Sequence, residues 1–381
     1  MNSRILIILC GAVLLSLLAV AGCTTDAGTD QTTAGSEITI TDGFGRSITV
    51  PSPVESILCS GSGGVRYAVY LESVDRITGV DSQDKNYREI EGRPYALIHR
   101  DHLMTLPLFG ELRGKDDPEK VIAIAPDLVF KTGSTGTSYA TSGPEADLLQ
   151  QKTGVPVVAF PYGSLRNDDE KREMYDGLRL MGAVLGKEAR AEAVIAYIEA
   201  TMADLESRTG DIPAADQKRV YIGGVSSAGA HGIISTEPAY PPFLWVHADN
   251  VAAGLGPAHA DVAKEAIVDW DPEYIFIDVN TMTSDDEGAI GQLKHDPALK
   301  GLTAVKEGRV YGVLPYNFYN VNHGTVLADA YFIGKVLYPD RFADIDPSEK
   351  ADEIYSFLLG APAFELLNSQ YGNLGFSQIP I

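Results

Sequence analysis

Cysteine is scarce in this chain. Cys10, Cys23 and Cys59 are the only three in 381 residues, too few and too widely spaced for a disulfide framework or a metal-binding Cys motif. Positive charge is also short, with 30 Lys and Arg against 52 Asp and Glu and a formal net charge of −22. So acidic a surface repels phosphate backbones and argues against nucleic-acid binding. The seven histidines are scattered, and only His99 and His102 stand near each other. No Gly-Lys-Ser/Thr phosphate loop occurs, and no pair of His four apart with a Glu. GGVSSAG approaches a nucleophile elbow but carries Ala228 where the second Gly belongs, so Ser226 and Ser227 read as loop hydroxyls. SGSGG, at 60–64, is a lone glycine run that reads as a tight turn against closely packed backbone.

What is present is enough apolar residue, 45% of the chain, to build two cores in a chain of this length. The segment 1–22 has Arg4, an almost unbroken apolar run from Ile5 to Val20 and small residues before Cys23, the pattern of an export signal, in a run about long enough to stay in a membrane uncleaved. TTDAGTDQTTAGS, within 23–37, is polar and aperiodic and reads as a flexible tether. Alternating residues from Ile38 to Val50 flank Asp42-Gly43-Phe44-Gly45 and predict a β-hairpin.

Strands and helices then alternate, which predicts α/β architecture with mostly parallel sheets. Strands are expected at 57–59, 76–80, 128–130, 155–160, 219–223, 274–279 and 309–313. Helices are expected at 65–71, 144–153, 243–253, 325–337 and 348–359, the last opened by Asp346-Pro347 and closed by Gly360. Residues 81–117 read as a long irregular segment.

PEKVIAIAPDLVF (118–130) and KEAIVDWDPEYIF (264–276) share a Glu, an apolar stretch and, seven positions on, a Pro ahead of a strand. This internal echo predicts two similar lobes. Between them KEARAEAVIAYIEATMADLESRTGD (187–211) places Val194, Ile198 and Leu205 at helical spacing, giving a helix of about 30 Å with a ligand cleft left between the lobes it joins. The expected boundaries are a first lobe at 38–165, an inter-lobe helical segment at 166–210 and a second lobe at 211–381.

VAGC at 20–23 resembles a lipobox, in which the Cys becomes the lipidated first residue. Together with the tether, ITITDGFGRSITV, PEKVIAIAPDLVF, the inter-lobe helix and DPEYIFIDVN, it makes the chain resemble the class III substrate-binding lipoproteins of ABC importers, which include iron-siderophore, haem and cobalamin receptors. The resemblance spans Ile38 to about Leu359. It implies a monomeric, non-enzymatic receptor outside the cell, lipid-anchored through Cys23, holding a ligand between the lobes and needing no cofactor or resident metal. It further implies an ABC permease and ATPase as partners, with Glu119 and Glu265 as docking residues. The ligand expected is an iron chelate or corrinoid; molybdate-like oxyanions, haem and free metal ions stay open. The residues alone also admit an extracellular hydrolase using the scattered His with a metal.

Ligands of such sheets sit beyond the carboxyl ends of the strands. The loops there supply Ser60, Ser62, Arg66, Tyr95, Arg100, His102, Tyr139 and Tyr162 from the first lobe. The second lobe supplies Ser226, His231, Asn280, Tyr316, Asn317, Tyr319 and Asn322. Tyr and Asn give contact area and hydrogen bonds to a large chelate, and Arg66 with Arg100 would form a positive island for an anionic one.

Overall fold

Asp42 explains how the chain enters the fold. In the computed structural model, which describes residues 36–85, 90–134, 141–283 and 288–381, β1 (Ser36–Thr41) and β2 (Ser47–Ser52) form the expected antiparallel hairpin, Ile38 facing Val50 and Ile40 facing Ile48. At its turn the buried Asp42 carboxylate accepts the N–H groups of Phe44 and Arg46 at 3.0 Å and that of Ala159 at 3.1 Å, which staples the hairpin to β8 (Val157–Pro161). The signal segment, Cys23, the tether through residue 35 and Tyr139 lie outside the described residues.

The first lobe is a six-stranded sheet in the order β6-β5-β4-β3-β7-β8, with β3 (Ile57–Ser60), β4 (Ile77–Asp81), β5 (Leu108–Glu111), β6 (Lys115–Asp116) and β7 (Leu128–Gly133). All pairings are parallel except the β6 edge. Strands buried on both faces have to read as continuous apolar runs, as Ile57-Leu58-Cys59 and Val157–Phe160 do. Around the sheet lie α1 (Gly64–Tyr70), α2 (Ser82–Lys85), α3 (Pro94–Ile98), α4 (Arg100–Thr105), α5 (Pro118–Ile124) and α6 (Gly143–Thr153). The 81–117 segment is therefore not irregular. Its helices are four to six residues long, too short for a period to show, and Arg93 supplies the missing order by pairing, fully buried, with Asp84 and Glu91.

The chain crosses on α8 (Glu188–Thr209), the long helix expected there, which bonds the Tyr70 carbonyl of the first lobe from Arg190 near its start and the Trp245 carbonyl of the second from Thr209 at its end. Before it α7 (Asp168–Leu185) packs on β8 and α1, and Gly186, at φ 66°, ends α7. The second lobe is a five-stranded sheet in the order β11-β9-β13-β14-β15. It contains β9 (Arg219–Gly223), β11 (Asp249–Asn250), β13 (Tyr274–Asp278), β14 (Val310–Val313) and β15 (Ser377–Gln378), and β10 (Ser235–Thr236) pairs with β12 (Ala260–Asp261) beside it. Its helices are α9 (Pro241–Trp245), α10 (Lys264–Trp270), α11 (Ala289–His295), α12 (Thr303–Lys306), α13 (His323–Leu337), α14 (Pro347–Leu359) and α15 (Phe364–Gln370). The helix expected over 243–253 stops at Trp245, after which the chain turns into β11. Asp346 caps α14 by accepting the N–H groups of Ser348 and Glu349, and Gly360 closes it at φ 85°, as the sequence predicts. The echo is structural too. α5 and α10 each have seven residues and end on a left-handed residue, Ala125 at φ 52° and Asp271 at φ 40°, just ahead of Pro126 or Pro272 and a central strand. Among the described residues no helix is long and apolar enough to cross a membrane.

The segment after β14 is held by buried carboxylates. Asp278, at the end of β13, accepts the N–H groups of Asn280 and Tyr316 at 2.9 and 3.1 Å, and Asp329 on α13 accepts that of Leu314 at 3.0 Å. Burial pushes the Asp278 carboxyl from 3.8 up to about 7, against the pull of those two N–H groups. Since the folded value lies above the unfolded one, the folded chain keeps a proton between about pH 4 and 7 that the unfolded chain releases, and this contribution to stability is lost as pH rises through 7. Asp278→Asn, permanently neutral, is therefore expected to gain on the wild type across that window by up to about 1.4 kcal/mol per pH unit, read from urea unfolding at several pH values. A stability difference that does not change with pH would show that Asp278 is ionised throughout.

Candidate ligand-binding cleft

The strand ends of both sheets open onto one cavity of about 1060 Å³, at the upper end of the range for small-molecule sites. Seven of the expected residues line it: Ser62, Tyr162, Ser226, Asn280, Tyr316, Asn317 and Tyr319. Each follows a strand, β3, β8, β9, β13 or β14, as the position rule for such sheets requires.

A second group lies beneath that lining. Arg66, on α1 and 1% exposed, donates to the Tyr162 hydroxyl at 2.5 Å, to Asn322 Oδ1 at 2.6 Å and to the Phe318 carbonyl at 3.4 Å. Asn322 donates in turn to the carbonyls of Gly92 and Pro315 at 3.1 and 3.0 Å. The Tyr162 hydroxyl lies 2.8 Å from the Val321 carbonyl and 3.2 Å from His323 Nδ1. His323 Nε2 faces the Gly163 carbonyl at 2.9 Å and so carries the ring proton, and burial, reinforced by Arg66, holds this imidazole down at about 3 and therefore neutral. Gly63 makes room for the arrangement. It stands at φ 93°, and a Cβ there would meet the Tyr162 ring at 2.1 Å. Ser60 is likewise a support, donating to Asp116 at 2.6 Å beside buried Lys131, and Tyr95 donates to Asp84 at 2.9 Å.

Three expectations meet a different placement. His231 bonds the Ser227 carbonyl at 2.7 Å and stands behind His259, which does line the cavity, their rings 6.0 Å apart. Arg100 is exposed at the start of α4 and His102 bonds the Val74 carbonyl at 3.1 Å; neither is in the lining. The expected positive island of Arg66 and Arg100 is thus absent from the wall. The charged groups there are Arg113 and Arg166 against Asp169, Glu170, Glu173 and Glu237, so the lining is net acidic. Sequence reasoning missed Ser164, Arg166, Glu170 and Glu173 because the start of α7 was not separated from the rest of the inter-lobe segment. The strand-end rule applied to β8 would have reached Ser164 and Arg166. Glu237 follows a two-residue strand that leaves no periodic signal.

Residues 316–322 form a strap from the second lobe across the cavity to the first. Tyr319 donates its hydroxyl to Asp81, and Asn320 Nδ2 donates to Ser62 Oγ at 3.1 Å and Ser134 Oγ at 2.7 Å. Tyr319 and Asn320 both have positive φ, 49° and 78°. On the far wall Asn280 bonds Ser226, and Asn317 donates to the Ser226 carbonyl at 3.1 Å. Such a wall, hydroxyls and amides among aromatic faces, recognises a polar ligand by hydrogen bonds and contact area. Among the described residues no group of three or more His, Cys, Asp or Glu is placed to hold a bare metal ion.

Comparison with known proteins agrees with this geometry. The molybdate-binding protein MolA of Haemophilus influenzae is 25% identical over 340 residues, 83% of this chain and 89% of that protein. YvrC of Bacillus subtilis, a substrate-binding lipoprotein of an ABC transporter, is 23% identical over 344 residues, 87% of this chain and 97% of its own. Of solved structures, MolA bound to molybdate superposes with a TM-score of 0.65 at 21% identity, covering 85% of this chain and 98% of that one. The periplasmic binding protein FepB of Veillonella parvula superposes with a TM-score of 0.61 at 18% identity, covering 85% and 97%. The periplasmic binding protein family model matches residues 59–316, from the end of β3 to the first residue of the strap, and the chain belongs to that family: it is an extracytoplasmic solute-binding component of an ABC transporter and not an enzyme.

Proposed function

We propose that the chain captures an iron chelate of the siderophore type, of low net charge, and delivers it to an ABC permease. The observation that carries this reading is the cavity itself. Its 1060 Å³ suits a ligand of several hundred daltons, whereas a tetrahedral oxyanion would fill a small fraction of it. The net acidic lining works against a highly anionic catecholate complex and favours a neutral or cationic hydroxamate. Iron(3+)-hydroxamate-binding FhuD of Bacillus subtilis, 26% identical over 213 residues, 53% of this chain and 59% of that protein, is compatible with this choice. Seated at the carboxyl ends of both sheets, the chelate would meet Tyr316, Tyr319 and the Ser and Asn groups, with the Arg66 network holding the floor in place.

Outside the cavity lining, Glu119 and Glu265 are both exposed in the first turns of the paired helices α5 and α10. A carboxylate there is also favoured by the helix dipole, worth roughly 0.3–1 kcal/mol, but the repeated placement suits docking to a permease of two subunits. Cys23, in VAGC, would carry the lipid anchor, more than one acyl chain being needed for stable attachment.

Titration calorimetry against a ferric trihydroxamate, a ferric tricatecholate, haem, cobalamin and molybdate tests the ligand. The hydroxamate is expected to bind tightest; molybdate binding more tightly than every chelate overturns the reading. Tyr316→Ala should weaken the chelate about ten-fold, or 1.4 kcal/mol, and Arg100→Ala should leave it unchanged. Reversing both Glu119 and Glu265 to Lys is expected to abolish uptake in cells while ligand affinity stays intact, and uptake that survives removes them from the docking surface. Labelling with a radioactive fatty acid should mark the wild type and not Cys23→Ser; an unlabelled wild type refutes the anchor.

A further inference from the structure

One end of the cavity sets two carboxyl groups against a single guanidinium. Arg166 forks Glu170, Nε and Nη2 each donating to a carboxylate oxygen at 2.9 Å. Its remaining Nη1 lies 3.7 Å from Glu237 Oε1, beyond hydrogen-bonding reach. One guanidinium thus faces two carboxylates. Glu237 is 3% exposed and Tyr316 2%, both line the cavity, and neither Glu237 Oε1 nor the Tyr316 hydroxyl has a hydrogen-bond partner among the described residues. His259 does not supply the missing cation, since burial lowers its imidazole below 6.5 and its Nε2 is taken by Ser235 at 2.7 Å.

Two buried oxygens without partners, on neighbouring residues that line the same cavity, are costly in isolation and are satisfied by a ligand that brings both a proton donor and a positive charge. We infer that Glu237 and Tyr316 form a subsite for a protonated primary amine of the ligand, so that the chelate taken up is a cationic one whose ammonium group sits against Glu237 with Arg166 and Glu170 behind it. The state of Glu237 without ligand fits: burial, ahead of the opposing pull of Arg166, lifts its carboxyl to about 7, and the proton it then holds is the one the ammonium replaces. Of the neutral and cationic chelates that the acidic wall admits, the cationic one also gives the orphaned phenol a partner.

The inference rests on the iron-chelate reading, and one experiment separates the two. A linear ferric trihydroxamate ending in a free primary amine is titrated into the purified protein beside the same chelate with that amine acetylated. The wild type is expected to bind the free amine about ten-fold more tightly. Glu237→Gln should remove that preference, the two chelates then binding alike, and Glu237→Asp should keep it. Equal binding of the two chelates by the wild type overturns the subsite and leaves the iron-chelate reading standing, and this arm decides the matter even where the Gln variant fails to fold. A preference that survives in a folded Glu237→Gln also overturns it. Binding of neither chelate overturns both.

Discussion

The guanidinium of Arg66 is the group on which the site depends. Buried without a direct carboxylate partner among the described residues, it is satisfied by a phenol, an amide oxygen and a backbone carbonyl drawn from both lobes. A buried cation so held is strongly position-specific, because displacing any one acceptor leaves a charge in low dielectric. The network joins α1, the start of the α7 connection and the N-terminus of α13. It therefore fixes the strap, and through the strap the floor of the cavity. Arg93 is a second buried guanidinium, held instead by two carboxylates, and ties the short helices of 81–117 together through Asp84 and Glu91.

The frame around that network leaves little freedom between the sheets. α8 makes the crossing, and α14 and α15 return to pack on α1 and α3 of the first lobe. Arg190 on α8 extends this second junction by bonding the Tyr70 carbonyl at 2.9 Å and the Phe357 carbonyl beside it. A cleft walled this way is largely formed before its ligand arrives, which lowers the ordering cost of binding.

Elements whose side chains repeat at a fixed period were legible in sequence. The hairpin, the echo, α8, α13, α14 and the central strands carry apolar residues at intervals of two or of three to four, and Asp346 and Gly360 mark helix ends by their own chemistry. Elements defined by tertiary partners were not. α2, α3 and α4 are each shorter than two helical turns, and the supposed helix at 243–253 turns into β11 after a run that opens Pro241-Pro242. In the site, the strand-end rule found the neutral lining residues, because that rule is geometric. It could not tell a lining residue from a supporting one: Arg66, Ser60 and Asn322 stand near the right strand ends but are buried beneath the lining. Nor could it find the acidic wall, since Glu170, Glu173 and Glu237 lie among many carboxylates in a chain of net charge −22.

The backbone of the strap has one more consequence. Tyr319 and Asn320 occupy left-handed conformations that cost on the order of 1–3 kcal/mol each for residues other than glycine. The bonds to Asp81, Ser62 and Ser134 hold them there. The strap is thus a latch closed against its own spring. Loosening any of its three side-chain hooks would leave that strain less opposed, while the bridge between Asn317 and Val321 still holds the turn together, so the part of the wall best placed to shift is a few residues at the strap's tip and not the sheets behind it.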